Sequence, residues 1–191
     1  MMGGFTMEVG MTREEAYRLL ENNVIDTIHE WQVKLGYTEE MIRIYYNRDS
    51  LEHLVKLQLP TVKEAKEFLI AWRESVKNRL GEVHLSNKEE RFCIGIPAEG
   101  TKYIHEQKKG STFLMDLMEV LKEPTCTIEQ ILEVFKKQSP NVICEKATGE
   151  EFDYVIYYDD NDVDSFRYCF SLGEMGAFYH RFSEYDYQTI R

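Results

Sequence analysis

A chain of 191 residues, 43% hydrophobic and 13% aromatic, is long enough to bury about 70% of its unfolded surface and needs no disulfide staple to fold. Four prolines and eleven glycines exclude a long disordered or low-complexity tract. The formal net charge of −11 repels phosphate backbones and argues against a general nucleic-acid binder, because such binding draws on counterion release by Lys and Arg.

The acid is uneven. Residues 141–191 hold eleven acids and four bases, a net of −7, while residues 1–140 hold 23 acids and 19 bases, a net of −4. The opening MMGGFTMEVGM lacks the basic start and apolar run of a signal peptide, and nowhere do about eighteen apolar residues run together. A cytoplasmic protein without membrane contact is therefore expected. Cys93, Cys126, Cys144 and Cys169 lie 33, 18 and 25 positions apart, so none forms the CxxC pairs of zinc sites or redox motifs, and free thiols are expected.

In chain order, Thr12 and Glu15 have capping-box spacing, and Leu20, Val24, Ile28, Trp31 and Leu35 form one apolar stripe ahead of Gly36. The spacing predicts a helix over about 13–35. Thr38, Glu39 and Glu40 open a shorter helical segment through Ile42 to Tyr46, and Ser50 restarts one that Pro60 ends. Thr61 and Glu64 cap a further helix marked by Ala65, Phe68, Leu69, Trp72, Val76 and Leu80, which Gly81 stops. After a charged connection, residues 91–107 read as a β-hairpin with a loop at Ala98, Glu99 and Gly100. Helices follow over 111–138, the second capped by Thr127 and Gln130.

Residues 141–183 are strand-rich. Val142–Cys144 is expected to pair with Phe152–Tyr158, followed by an acidic loop at 159–165 and a last hairpin of 166–172 with 178–182. A three-residue loop of Glu174, Met175 and Gly176 sets Leu172 opposite Phe178, Phe170 opposite His180 and Tyr168 opposite Phe182, collecting the aromatics on one face. The opposite face then groups Arg167, Cys169, Ser171, Tyr179 and Arg181, where two arginines can grip a carboxylate or phosphate by forked hydrogen bonds; pairing with acidic neighbours is the plainer reading.

Other constellations are weaker. The 91–107 hairpin would set Cys93 opposite His105, a thiol with a base, yet no orienting group or oxyanion donor accompanies them. Asp160, Asp162 and Asp164 alternate like calcium ligands, but Ser165 and Ser171 stand where an EF-hand loop requires glycine and glutamate. The five histidines lack metal-ligand spacing, and Asp26 with His29 reads as a surface pair. A winged-helix arrangement of the helices around Phe113–Phe135 would offer DNA only Lys136 and Lys137 and an acidic wing. No metal or cofactor is called for.

The phrases VIDTIHEWQVKLGY, IRIYYNRDSLEHL and GIPAEGTKYIHE resemble an uncharacterised bacterial family known only as a domain of unknown function. The resemblance runs from about residue 15 onward and implies no activity, cofactor or catalytic residue. The expected fold is α+β in a single domain over 1–191. An antiparallel sheet forms mainly from the C-terminal strands, the N-terminal helical portion (about 12–81) and central helices pack on one face, and the 91–107 hairpin is a candidate extension. The expected function is a non-enzymatic, protein-binding module whose acidic, tyrosine-rich sheet surface meets a protein partner, a basic one by charge. The alternative is a small-anion-binding enzyme or sensor using the Arg167/Arg181 face or the Cys93/His105 hairpin.

Overall fold

The computed structural model describes residues 11–159 and 163–190, which form a mixed α+β fold with two antiparallel sheets. The chain divides after Gly110 into two compact units.

In the first unit, helix α1 (Arg13–Leu35) starts where Thr12 Oγ1 accepts from the Glu15 amide at 3.1 Å and ends at Gly36, with φ of 92°. Its buried stripe is Ala16, Leu20, Val24, Ile28 and Gln32, so strict four-residue steps carry the face past Trp31 and leave Leu35 exposed. Strand β1 (Ile42–Asn47) replaces the helical segment expected there. Two β-branched residues at Ile42 and Ile44 favour the pleated backbone, and the period of two through Tyr46 outweighs the Thr38 start signal. Helices α2 (Arg48–Val55) and α3 (Val62–Leu80) follow, the second capped by Thr61 and closed by Gly81 as its sequence predicts.

The hairpin expected over 91–107 does not form. Strand β2 (His84–Lys88) turns back at Glu89, φ 54°, into β3 (Arg91–Ile96), and Pro97 then starts helix α4 (Ala98–Gln107). The Pro97 carbonyl accepts from the Gly100 and Thr101 amides at 2.9 and 3.0 Å, and Gly100, Thr101 and Ile104 turn inward at helical spacing. The sheet order is β1-β3-β2, so β3 pairs with residues expected in a helix on one side and in the charged connection on the other. Ile44, Phe92, Ile94 and Ile96 of this sheet share one core with the buried faces of α1, α2, α3 and α4.

In the second unit, helices α5 (Phe113–Leu121) and α6 (Ile128–Gln138) lie against a sheet of order β4-β5-β6-β7. Its strands are β4 (Val142–Lys146), β5 (Tyr154–Tyr158), β6 (Arg167–Gly173) and β7 (Gly176–Phe182). The Thr127–Gln130 capping box is complete, with both reciprocal bonds made at 3.3 and 2.9 Å. Phe135 is the hub of this core. Its ring lies 5.1 Å from Phe113, 5.0 Å from Tyr168, 5.8 Å from Tyr158 and 5.9 Å from Phe170, edge-on or tilted as ring quadrupoles prefer. A short helix α7 (Glu184–Thr189) covers part of the sheet's other face, where Tyr187, Phe152, Val155 and Cys169 make a second, smaller core.

The last hairpin has a different register from the expected one. Gly173 pairs with Gly176 across a two-residue loop, which sets Phe170 opposite Tyr179, Ser171 opposite Phe178 and Tyr168 opposite Arg181. Gathering all aromatics on one face assumed a sheet with a single core. This sheet has apolar cover on both faces, so Phe182 packs with the Phe152 cluster while Tyr179 joins Tyr168 and Phe170. The slip reverses the facing of every β7 side chain relative to β6.

Candidate interaction surfaces on two sheets

The register separates the residues of the expected anion site. Tyr179 and Arg181 point to the side of α5 and α6, and Arg167, Cys169 and Ser171 to the other. Arg181 stacks over the Phe166 ring at 4.1 Å, and its Nη1 donates to the Tyr168 hydroxyl at 3.4 Å. That hydroxyl in turn donates to Asp164 Oδ2 at 2.7 Å. Burial holds the Tyr168 hydroxyl protonated well beyond the usual phenol range, so this chain is a buried polar brace.

Arg167 lies 4.0 Å over the Tyr157 ring and 3.5 Å from Glu184 Oε1. Tyr157 therefore shares the face of Arg167, and Tyr158 that of Arg181. Cys169 is fully buried, its thiol pushed up to about 12 by burial, with Glu151 adding to the shift. The Ser171 hydroxyl donates to the Glu151 carbonyl at 3.1 Å. Each member of the expected site is thus engaged within the fold, and the two arginines cannot close on one anion.

Tyr179, expected on the outward face, is buried, as are Tyr158, Tyr168 and Tyr187. What this face exposes instead is Phe178, 64% accessible, on the edge strand β7, with Met175 at the turn 94% accessible. His180, two residues along the same face, sets its ring 4.3 Å from Phe182. Asp164, the described member of the acidic triplet, accepts from the Phe166 amide at 3.0 Å; Asp160 and Asp162 lie outside the described residues.

Cys93 and His105 are not brought together as hairpin neighbours. Cys93 sits on β3 between Tyr45 and Ser86, and His105 sits on α4 with its ring stacked on Tyr37 at 4.2 Å. The histidine sharing the face of Cys93 is His84, diagonally across on β2. Among the described residues, no three of His, Cys, Asp or Glu cluster as metal ligands do, and no helix is long and apolar enough to cross a membrane.

The surface that sequence reasoning missed is the outward face of β1-β3-β2. Its rows are Arg43–Gly95–His84, Tyr45–Cys93–Ser86 and Asn47–Arg91–Lys88. None of these positions is an Asp or Glu, in a chain where acids outnumber bases by 34 to 23. Arg91 places its guanidinium 4.4 Å over the Tyr45 ring, whose side chain is 51% exposed. The signal was available in the alternation Arg43, Tyr45, Asn47 against Ile42, Ile44, Tyr46, but it appears only once residues 42–47 are read as a strand.

Residues 17–191 match the family described as a domain of unknown function from an E. rectale gene description, DUF3877. The chain belongs to that family. No curated protein and no solved structure matches it. The family's description assigns no chemistry, so it transfers no residue role, and the function must be argued from the surfaces just described.

Proposed function

We propose that this DUF3877 member is a non-enzymatic protein-binding module whose C-terminal unit docks a basic partner along the edge of β7. The observation that carries the reading is Phe178, a large aromatic 64% exposed on an edge strand, beside a turn residue, Met175, that is 94% exposed. Exposed apolar side chains on a strand with an unpaired edge are what strand-addition and aromatic-anchor recognition use. The acid of residues 141–191, a net of −7, supports a partner of positive charge by steering its approach. A cytoplasmic setting belongs to the same proposal, supported by four cysteines that are all free thiols.

The test places a photo-crosslinking amino acid at position 178 in the producing cells, with the same residue at Ile70 on α3 as a control that is 47% exposed. A basic protein crosslinked at 178, absent at 70 and lost from affinity purification of Phe178→Asp, is the expected result. Identical capture at both positions, or recovery of a small metabolite and no protein, refutes it.

A further inference from the structure

We infer that the outward face of β1-β3-β2 is a second docking surface, of opposite chemistry, that takes an acidic segment of a partner protein. Three cations on this face, Arg43, Lys88 and Arg91, are exposed, and among the described residues none has a carboxylate partner. Of the two acids in the β2–β3 turn, Glu89 and Glu90, the second is held by Arg48 Nε at 2.9 Å. Lys88 and Arg91 are direct cross-strand partners. Like charges in that relation destabilise a sheet, and an acid at either position would stabilise it. The juxtaposition therefore works against the fold and suits an anionic ligand that neutralises both.

Tyr45 pre-orders one of the cations. With the guanidinium of Arg91 stacked on its ring at 4.4 Å, the arginine keeps its outward donors for a carboxylate and loses less rotamer freedom on binding. His84 on β2 adds a third kind of donor at the far end of the face.

Protein carboxylates fit better than a nucleic acid. The one exposed aromatic of the face already has a ring side covered by Arg91, which takes away a stacking platform for bases. A polyphosphate longer than the face would also run into the field of a chain with net charge −11, whereas a short acidic segment meets only the local cations. This surface lies in a different unit from the β7 edge, so the two readings stand or fall separately.

Fluorescence anisotropy with a labelled decaglutamate peptide at low salt tests the inference. The expected result is saturable binding that weakens as salt rises, and that weakens about tenfold further in the double variant Arg43→Glu/Lys88→Glu. The matched variant Lys63→Glu/Lys66→Glu on α3 changes the net charge equally and is expected to bind as the wild type does. Amide shifts on titration are expected at Arg43, Tyr45, Ser86 and Arg91, which guards against loss through misfolding of a variant. No binding at low salt, equal loss in both double variants, or tighter binding of a single-stranded oligonucleotide of equal charge overturns the inference.

Discussion

Gly100 offers the sharpest test of how α4 sits. A Cβ built there lies 2.4 Å from the Leu80 carbonyl oxygen and 2.5 Å from Ile96 Cγ2. Contact distances for such pairs begin near about 3.4 Å, so roughly 1 Å of movement is required. Neither neighbour yields easily: Leu80 O belongs to the backbone at the end of α3, and Ile96 is fully buried. Overpacking of this kind costs about 1–3 kcal/mol, and the better helix propensity of alanine returns up to about 1 kcal/mol. Gly100→Ala is therefore expected to lose about 1–2 kcal/mol, or roughly 5–10 °C in Tm for a unit of this size. Trp31 and Trp72 both lie in the first unit, so urea unfolding followed by tryptophan fluorescence reports that unit alone. Gly110→Ala, with nothing within 4 Å of its built Cβ, is the control expected to leave the midpoint unchanged. A Gly100→Ala variant as stable as the wild type, with an unchanged denaturant slope, would falsify the close packing of α4 on the end of α3.

Three further outcomes are expected. Ser171→Cys/Phe178→Cys should form a disulfide on mild oxidation, because these residues are direct partners, while Ser171→Cys/Tyr179→Cys should not; the reverse pattern would restore the three-residue turn. In the second unit the Cys169 thiol and the Tyr158 hydroxyl are both pushed up to about 12 by burial. The folded state thus holds these protons more tightly than the unfolded chain, and stability is full below the unfolded values and falls as pH rises from about 9 toward 12, read by near-ultraviolet circular dichroism; a flat profile there contradicts the burial. Arg79 makes bonds of 2.7 and 2.9 Å to Glu21 between α3 and α1, but it is 36% exposed, so Arg79→Gln should cost less than about 1 kcal/mol in urea unfolding and less still at high salt. A loss of several kcal/mol would mean that this pair is effectively desolvated.

Helices were legible where capping and periodicity agreed. Thr12 with Glu15, Thr61 with Glu64 and Thr127 with Gln130 each mark a start that the structure keeps. The failures were at short elements, where both periods fit. Residues 97–107 contain a proline and a glycine that suit a hairpin loop equally well, and only the buried spacing of Gly100, Thr101 and Ile104 decides for a helix. Strand β1 finds its partner β3 more than forty residues on, and a six-residue β1 or five-residue β2 carries too few alternations to announce itself alone. The Arg167/Arg181 face failed for a different reason. The hairpin turn permits two loop lengths, and the choice between them came from assuming one apolar face, whereas the Phe152, Val155, Cys169 and Tyr187 cluster supplies a second.

The same sorting explains why net charge was a poor guide to partners. A pleat divides each strand by parity, so the sign of a face depends on which parity the charges occupy and not on their sum. In β1, β3 and β2 the inward parity holds Ile44, Ile94, Phe92 and Leu85, and the charged residues of the outward parity are bases. The acids of that region fall outside the pleat, with Glu89 and Glu90 in the turn and the latter tied to Arg48. In the second unit the pleat instead leaves Phe178 outside, in a stretch whose surroundings are acidic. A chain of net −11 can in this way present an acid-free cationic sheet on one unit and an aromatic edge in an acidic setting on the other. Salt separates them by what it changes: at the first it weakens equilibrium binding, where an anion neutralises two opposed cations, and at the second it chiefly slows association, where acid only steers the partner.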